Sequence, residues 1–259
     1  GDCYAKGIGV EPNLKKAEQC YQKAADRNHG KAMYKLGNLY SHRHSIQKNL
    51  EVVSGYWDSI PLDLPRAISC YLGAAELKYV SGYVRLGYFN VAGIGMPVDY
   101  KKSFQWYRKA AKTGDSLGQV WLGYFYSNGI GREWEWEHDQ NCWNGIEKNY
   151  SKALKYYLKA ANQGMDLAQY MVGFMYAHGA INADRGIKGI DTVDLEIPGI
   201  PLDYQEAIKW YTKAAKQEYK KAHLKLGYFY LHTNYAVKKD HKKAFEWWMK
   251  GTENEYGPN

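Results

Sequence analysis

Nearly the whole chain is written in one recurring block of small and aromatic residues. In the first copy Ala17 is followed by Tyr21, Ala24, Ala25, Ala32, Leu36, Gly37 and Tyr40. The second copy reads Ala67, Tyr71, Ala74, Ala75, Gly82, Leu86 and Gly87, with Asn90 in place of the closing Tyr, and the third Ser103, Tyr107, Ala110, Ala111, Gly118, Leu122, Gly123 and Tyr126. Ala153 to Tyr176 and Ala207 to Tyr230 repeat it again, and Ala244, Trp248 and Gly251 supply a final half-copy. The copies open at positions 17, 67, 103, 153, 207 and 244, so the unit is about 36 residues and three units carry extra lengths of 14, 14 and 18. All the extra length falls between a closing Tyr and the next opening Ala. A fixed period of this kind marks a stacked array, not a single compact core.

Within a block the opening Ala, the Tyr and the Ala-Ala pair share one face of a 3.6-residue helix, and the second Ala, Leu and closing Tyr share a face of the next. Each unit is therefore expected to be a helix pair that cannot bury its apolar face alone and stacks on its neighbours. Gly114 and Gly164 suit a left-handed turn between the two helices, Asn28 tolerates it, and Lys78 and Glu218 depart from the rule. The expected fold is all-α: an α-solenoid of stacked helix pairs, one domain over 1–259 with about six repeats, the first truncated. Long loop insertions are expected at roughly 41–65, 127–151 and 177–205.

Composition narrows the class. Of 259 residues 45% are hydrophobic and the net charge is +8, the balance of a globular chain. No apolar run approaches the roughly 18 to 20 residues of a membrane span. Four cysteines without a CxxC pair suggest neither a disulfide-stapled mini-protein nor a zinc ribbon.

The pattern Ala-x3-Leu-Gly-x2-Tyr, then Gly-Ile-Gly (Gly7 to Gly9, Gly93 to Gly95, Gly129 to Gly131), then Lys-Ala-x2-Trp/Tyr-Tyr-x-Lys-Ala-Ala, closely resembles Sel1-like repeat (SLR) proteins. The resemblance implies a right-handed superhelix related to TPR arrays, with the Ala-x3-Leu-Gly-x2-Tyr helix, here helix A, lining the concave side and the following helix B behind it. In that register Cys3-Tyr4 ends a first helix A, so the chain is expected to begin inside a repeat and its localisation stays unknown. Some secreted bacterial relatives staple each repeat with a disulfide and have been linked to penicillin binding or weak β-lactamase activity. Here Cys20 and Cys70 share a repeat position but no partner cysteine recurs, a departure from that subgroup.

Enzyme signatures are thin. Ser45-Ile46-Gln47-Lys48 fits S-x-x-K and Lys112-Thr113-Gly114 fits K-T-G of penicillin-interacting enzymes, but the second is the ordinary end of a helix B and the middle motif is missing. His138 and Cys142, four apart beside Glu135, Glu137 and Asp139, make an incomplete metal-ligand set, and His42 and His44 do no better. No carboxylate pair or triad stands out, so no catalytic residue, metal or cofactor is expected.

Binding surfaces carry more signal. After Leu-Gly in helix A stand Asn38, Tyr88, Tyr124, Phe174 and Tyr228, and in the TPR-like register these line the concave wall. They form either an exposed aromatic ladder or plain packing between helices. Tyr34, Asn128, Tyr170, His178 and His232 neighbour them, together making a groove suited to a protein segment. Helix B carries two basic series, Lys16, Arg66, Lys102, Lys152 and Lys243, and seven residues later Lys23, Lys109, Lys159, Lys213 and Lys250. Such a stripe is read as a solvated face or as a seat for acidic groups, with nucleic acid disfavoured because aromatics and cations fall on different helices. The second insertion places Trp134, Trp136 and Trp143 among acids, and the third alternates Val193-Asp194-Leu195-Glu196-Ile197. These insertions either project as extended segments or fold back between repeats.

The expected function is a non-catalytic scaffold or adaptor gripping another protein, one with acidic patches or a toxin or effector, through Tyr88, Tyr124, Phe174, Tyr228, Asn128, His178, His232 and the loop tryptophans. The oligomeric state stays open. By resemblance, SLR proteins serve as adaptors in membrane-associated assemblies, and others are immunity proteins that inhibit interbacterial toxins such as type VI phospholipase effectors. Immunity and a penicillin-binding enzyme are the alternatives.

Overall fold

A computed structural model describes residues 1–41, 60–129, 145–180, 197–232 and 237–252. The residues Ser45, Lys48, His42, His44, Trp134, Trp136, Trp143, His138, Cys142 and Val193 to Glu196 lie outside these segments. Two kinds of helix alternate. Helix A copies are α1 (Asp2–Lys6), α3 (Gly30–Tyr40), α5 (Val80–Ala92), α7 (Ser116–Asn128), α9 (Asp166–Ala177) and α11 (Lys220–Leu231). Helix B copies are α2 (Leu14–Ala25), α4 (Leu64–Glu76), α6 (Tyr100–Lys112), α8 (Tyr150–Asn162), α10 (Tyr204–Ala215) and α12 (His241–Thr252). They form two compact units, Gly1–Gly118 and Gln119–Asn259, and within each unit helices consecutive in sequence pack against one another. The fold is all-α, a repeat array of stacked helix pairs.

The start of every helix B is set by one residue. Asn13, Asp63, Asp99, Asn149, Asp203 and Asp240 each turn a side-chain Oδ1 back to accept the amide three residues on, at 2.8–3.0 Å. This satisfies one of the helix's orphan donors, and losing such a cap costs about 1 kcal/mol. The same residue's own amide donates to the carbonyl closing the preceding helix A: Asn13 to Tyr4, Asp63 to Tyr40, Asp99 to Asn90, Asn149 to Tyr126, Asp203 to Tyr176 and Asp240 to Tyr230, at 2.7–3.0 Å. Loops of very different length thus leave and return through one hydrogen bond. The long ones return through a buried isoleucine three residues before the cap: Ile60, Ile146 and Ile200 are 2%, 8% and 1% exposed. Ile60-Pro-Leu-Asp63 recurs as Ile200-Pro-Leu-Asp203. In the third insertion Ile197–Pro201 (β2) pairs in parallel with Gly179–Ala180 (β1), and Ile200 joins the core of α8 and α9.

The core is a recurring lock between helix A and the following helix B. The Gly of each Leu-Gly receives a helix B ring: Gly37 faces Tyr71, Gly87 faces Tyr107, Gly123 faces Tyr157, Gly173 faces Tyr211 and Gly227 faces Trp248. A Cβ there would sit 2.5 to 2.9 Å from the four tyrosine rings, closer than packed atoms tolerate. Tyr71, Tyr107, Tyr157 and Tyr211 are almost wholly buried, with Leu36, Leu86, Leu122 and Leu226 beside them.

After helix B the chain turns through one left-handed residue in each repeat: Asn28 (φ 59°), Lys78 (58°), Gly114 (91°), Gly164 (90°) and Glu218 (61°). Lys78 and Glu218 adopt the turn despite their side chains, at a cost of about 1 kcal/mol each. The Lys112-Thr113-Gly114 triplet is this helix terminus, with the Thr113 hydroxyl donating to the Ala110 carbonyl at 2.7 Å. Among the described residues no helix is long and apolar enough to cross a membrane.

Candidate functional site: the outer face of helix A

Helix A uses one face for the lock and leaves another. Counting from its Gly, the second following position (Leu39, Phe89, Phe125, Met175, Phe229) is buried throughout. The first following position, one residue earlier, rotates off that face by about 100°. There Asn38, Tyr88, Phe174 and Tyr228 are half-buried and Tyr124 is 43% exposed. In unit 2 these rings gain a partner one turn on: Phe174 lies 4.3 Å, centroid to centroid, from His178, and Tyr228 lies 4.4 Å from His232. Asn128 holds the same place after Tyr124 and donates from its amide to the Tyr124 carbonyl at 2.9 Å. Tyr34 and Tyr170 lean inward instead, Tyr34 onto Tyr71 and Tyr79, and Tyr170 onto Tyr211 and Tyr219.

The position two before the Gly adds charge to this face. In unit 1 Lys35 pairs with Asp2 at 3.6 Å, and the Tyr21 hydroxyl donates to the same carboxylate at 2.5 Å. Both contacts hold the Asp2 carboxyl below its usual range. One repeat on, Asn38 stands where Asp2 stood and its Oδ1 accepts the Tyr71 hydroxyl at 2.9 Å. Arg85 stands where Lys35 stood, only 7% exposed, and its Nη1 has no hydrogen-bond partner among the described residues. In unit 2 the position falls to Lys225. Burial pulls its ammonium below the ordinary lysine value. His178 is pushed down to about 4, first by burial and then by the Lys225 charge. Sequence reasoning passed over Arg85 and Lys225 because the position also holds Trp121 and Met171. Aligning the blocks at the Gly reveals the cations.

The helix B cations have nearer partners. Lys16, Arg66, Lys152 and Lys243 lie 4.3–5.5 Å over the rings closing the preceding helix A, Tyr4, Tyr40, Tyr126 and Tyr230. Lys102, whose repeat has Asn90 where the others close with a ring, pairs with Asp99 at 3.1 Å. Lys109, Lys159, Lys213 and Lys250 sit 3.7–5.8 Å over Trp106, Tyr156, Trp210 and Trp247. Cation–π seating of this kind is worth about 0.5–1 kcal/mol at exposed sites and gives eight of the ten cations of the two series a local partner. Cys3, Cys20 and Cys70 are free thiols. No group of three or more His, Cys, Asp or Glu among the described residues is placed to hold a metal ion.

The Sel1 repeat pattern matches residues 1–29, 30–52, 80–115, 116–134, 141–165, 166–188, 196–219 and 220–255, well over half the chain. The chain belongs to the Sel1 repeat family. Among solved structures it is similar to a Sel1 repeat protein from Oxalobacter formigenes, at 27% identity and a TM-score of 0.73, over 97% of this chain and 84% of that one. A protective antigen of uropathogenic Escherichia coli displaying an SLR fold matches at 24% identity and a TM-score of 0.57, over 97% of this chain and 52% of its own. An immunity protein from Pseudomonas aeruginosa shares the fold at 19% identity and a TM-score of 0.50, over 98% and 82% of the two chains. No curated protein sequence matches the chain.

Proposed function

We propose that this protein is a non-catalytic scaffold that binds another protein through the outer face of helix A, with Trp134, Trp136 and Trp143 of the second insertion as further contacts. One observation carries this reading. The four tyrosine rings of the lock are sealed in the core, whereas Tyr88, Tyr124, Phe174 and Tyr228, each following a lock glycine, stay open to solvent in part, most of all Tyr124. Rigid aromatic side chains kept accessible on a helix face offer large contact area at little entropic cost. A partner captured from the source cells is identified by mass spectrometry, purified and titrated against the wild-type chain and Tyr124→Ala and Phe174→Ala variants. Losses of about tenfold or more per ring are expected, as for interface hot spots. Equal affinity in variants that keep the wild-type unfolding midpoint refutes the reading. The fold shared with an immunity protein gives the experiment a second readout: if the partner is a toxin, its activity is assayed with and without this chain.

A further inference from the structure

Arg85 is the one place in unit 1 where a buried cation on the helix A face has no counter-charge among the described residues. Lys35, the preceding residue in register, has Asp2 at 3.6 Å. The register that supplies Asp2 supplies an amide to Arg85, namely Asn38, whose Oδ1 is already engaged by the Tyr71 hydroxyl. The Tyr71 hydroxyl is also shared with Ser41 at 2.8 Å. Arg85 lies within electrostatic reach of Tyr71 and Tyr107, and both groups are neutral. A guanidinium shielded from water and left with an unpaired N–H is costly; any acceptor oxygen relieves the missing hydrogen bond, and an anionic one also balances the buried charge.

We propose that Arg85 is the seat of a carboxylate contributed by a bound protein segment. The inference rests on the protein-binding reading above and assigns the partner its chemistry. A guanidinium presents a planar fork of donors that a carboxylate matches in bidentate fashion. The site is a single charge: its neighbour in register, Lys35, is neutralised by Asp2, and half-buried Tyr88 stands one turn on from Arg85 along α5. A polyanion such as nucleic acid needs a run of free cations, whereas one carboxylate beside an aromatic residue needs only this one.

The test titrates the full chain with three peptides. These are acetyl-Tyr-Glu-Tyr-Glu-Tyr-amide, the same peptide with Gln for Glu, and the Gln peptide ending in a free carboxylate. The Glu peptide is expected to bind about tenfold more tightly than the blocked Gln peptide, the margin of one charge-assisted pair. Tight binding by the free-ended Gln peptide instead identifies a chain terminus as the source of the carboxylate. Arg85→Met removes the preference. Asn38→Asp, which keeps Arg85 and supplies a carboxylate from within, removes it too while raising the unfolding midpoint, so the test survives if Arg85→Met fails to fold. Equal binding of all three peptides, binding of none, or a preference that persists in Asn38→Asp overturns the proposal. A chain that loses its captured partner on Tyr124→Ala or Phe174→Ala yet shows no preference for the carboxylate keeps the protein-binding reading and loses this one.

Discussion

Ser41, Ser127 and Ala177 hold one register position near the end of helix A, and the difference between them is felt by the ring of the following helix B. Ser41 meets the Tyr71 hydroxyl at 2.8 Å and Ser127 meets that of Tyr157 at 3.4 Å. The buried Tyr211 hydroxyl, opposite Ala177 in register, has no hydrogen-bond partner among the described residues. Ala177→Ser is expected to stabilise unit 2 by about 1 kcal/mol, read from chemical denaturation; an unchanged or lower midpoint contradicts the register argument. His178 gives a second test at this scale. Its value of about 4 in the fold lies below the ordinary 6.5, so between these pH values the unfolded chain binds the proton and the folded chain does not. Stability is complete above about pH 6.5, declines as pH falls towards 4 and levels off below. Partial solvation of the ring keeps the loss to about 1–2 kcal/mol. Lys225→Met should raise the His178 midpoint in an NMR titration, and a His178 that titrates near 6.5 in the native chain would exclude this environment.

Between elements the decisive contact is a ring lying on a glycine. A methyl group on Gly123 would stand 2.6 Å from the Tyr157 ring, which has no open space to move into, so Gly123→Ala is expected to cost about 1–3 kcal/mol. Gly114→Ala, where a Cβ meets nothing within 4 Å, costs only the left-handed backbone, about 1 kcal/mol. Denaturation midpoints that rank these two variants the other way would contradict the lock. Much of this architecture was legible in the sequence, because the Gly, its ring and the closing Tyr recur at constant offsets. The recurrence of small residues implies close backbone approach, and the structure gives the Gly its particular task of seating a ring. The aromatic position after Leu-Gly was legible for the same reason. The environments of Arg85 and Lys225 were not, since each depends on what a different position of the neighbouring repeat supplies: Asp2 for Lys35, Asn38 for Arg85, Phe174 and His178 for Lys225. Stacking decides those juxtapositions, and a reading of one repeat at a time does not contain them. The basic series likewise showed its period but hid its partners, which lie on the preceding helix or three residues back.

Across the molecule, the repeats accept length at one place, between helix A and the next helix B. The reason is geometric: the cap residue's amide returns to the carbonyl that closes helix A whether the intervening loop is short, as from Asn90 to Asp99, or long, as from Tyr176 to Asp203. Ring closure through such a bond costs little with added residues, about 0.6 kcal/mol per doubling of a flexible loop. Doubling the third insertion with Gly-Ser residues should therefore leave the unfolding midpoint nearly unchanged. Ile200→Ala, which adds no residue, should cost about 2–4 kcal/mol by opening a void beside α8 and α9. A midpoint that tracks loop length more steeply than it responds to Ile200 would show that the insertions are part of the packing. The clasp acts as a grafting port: mutation can trade whole peptides in and out there without renegotiating the helices on either side.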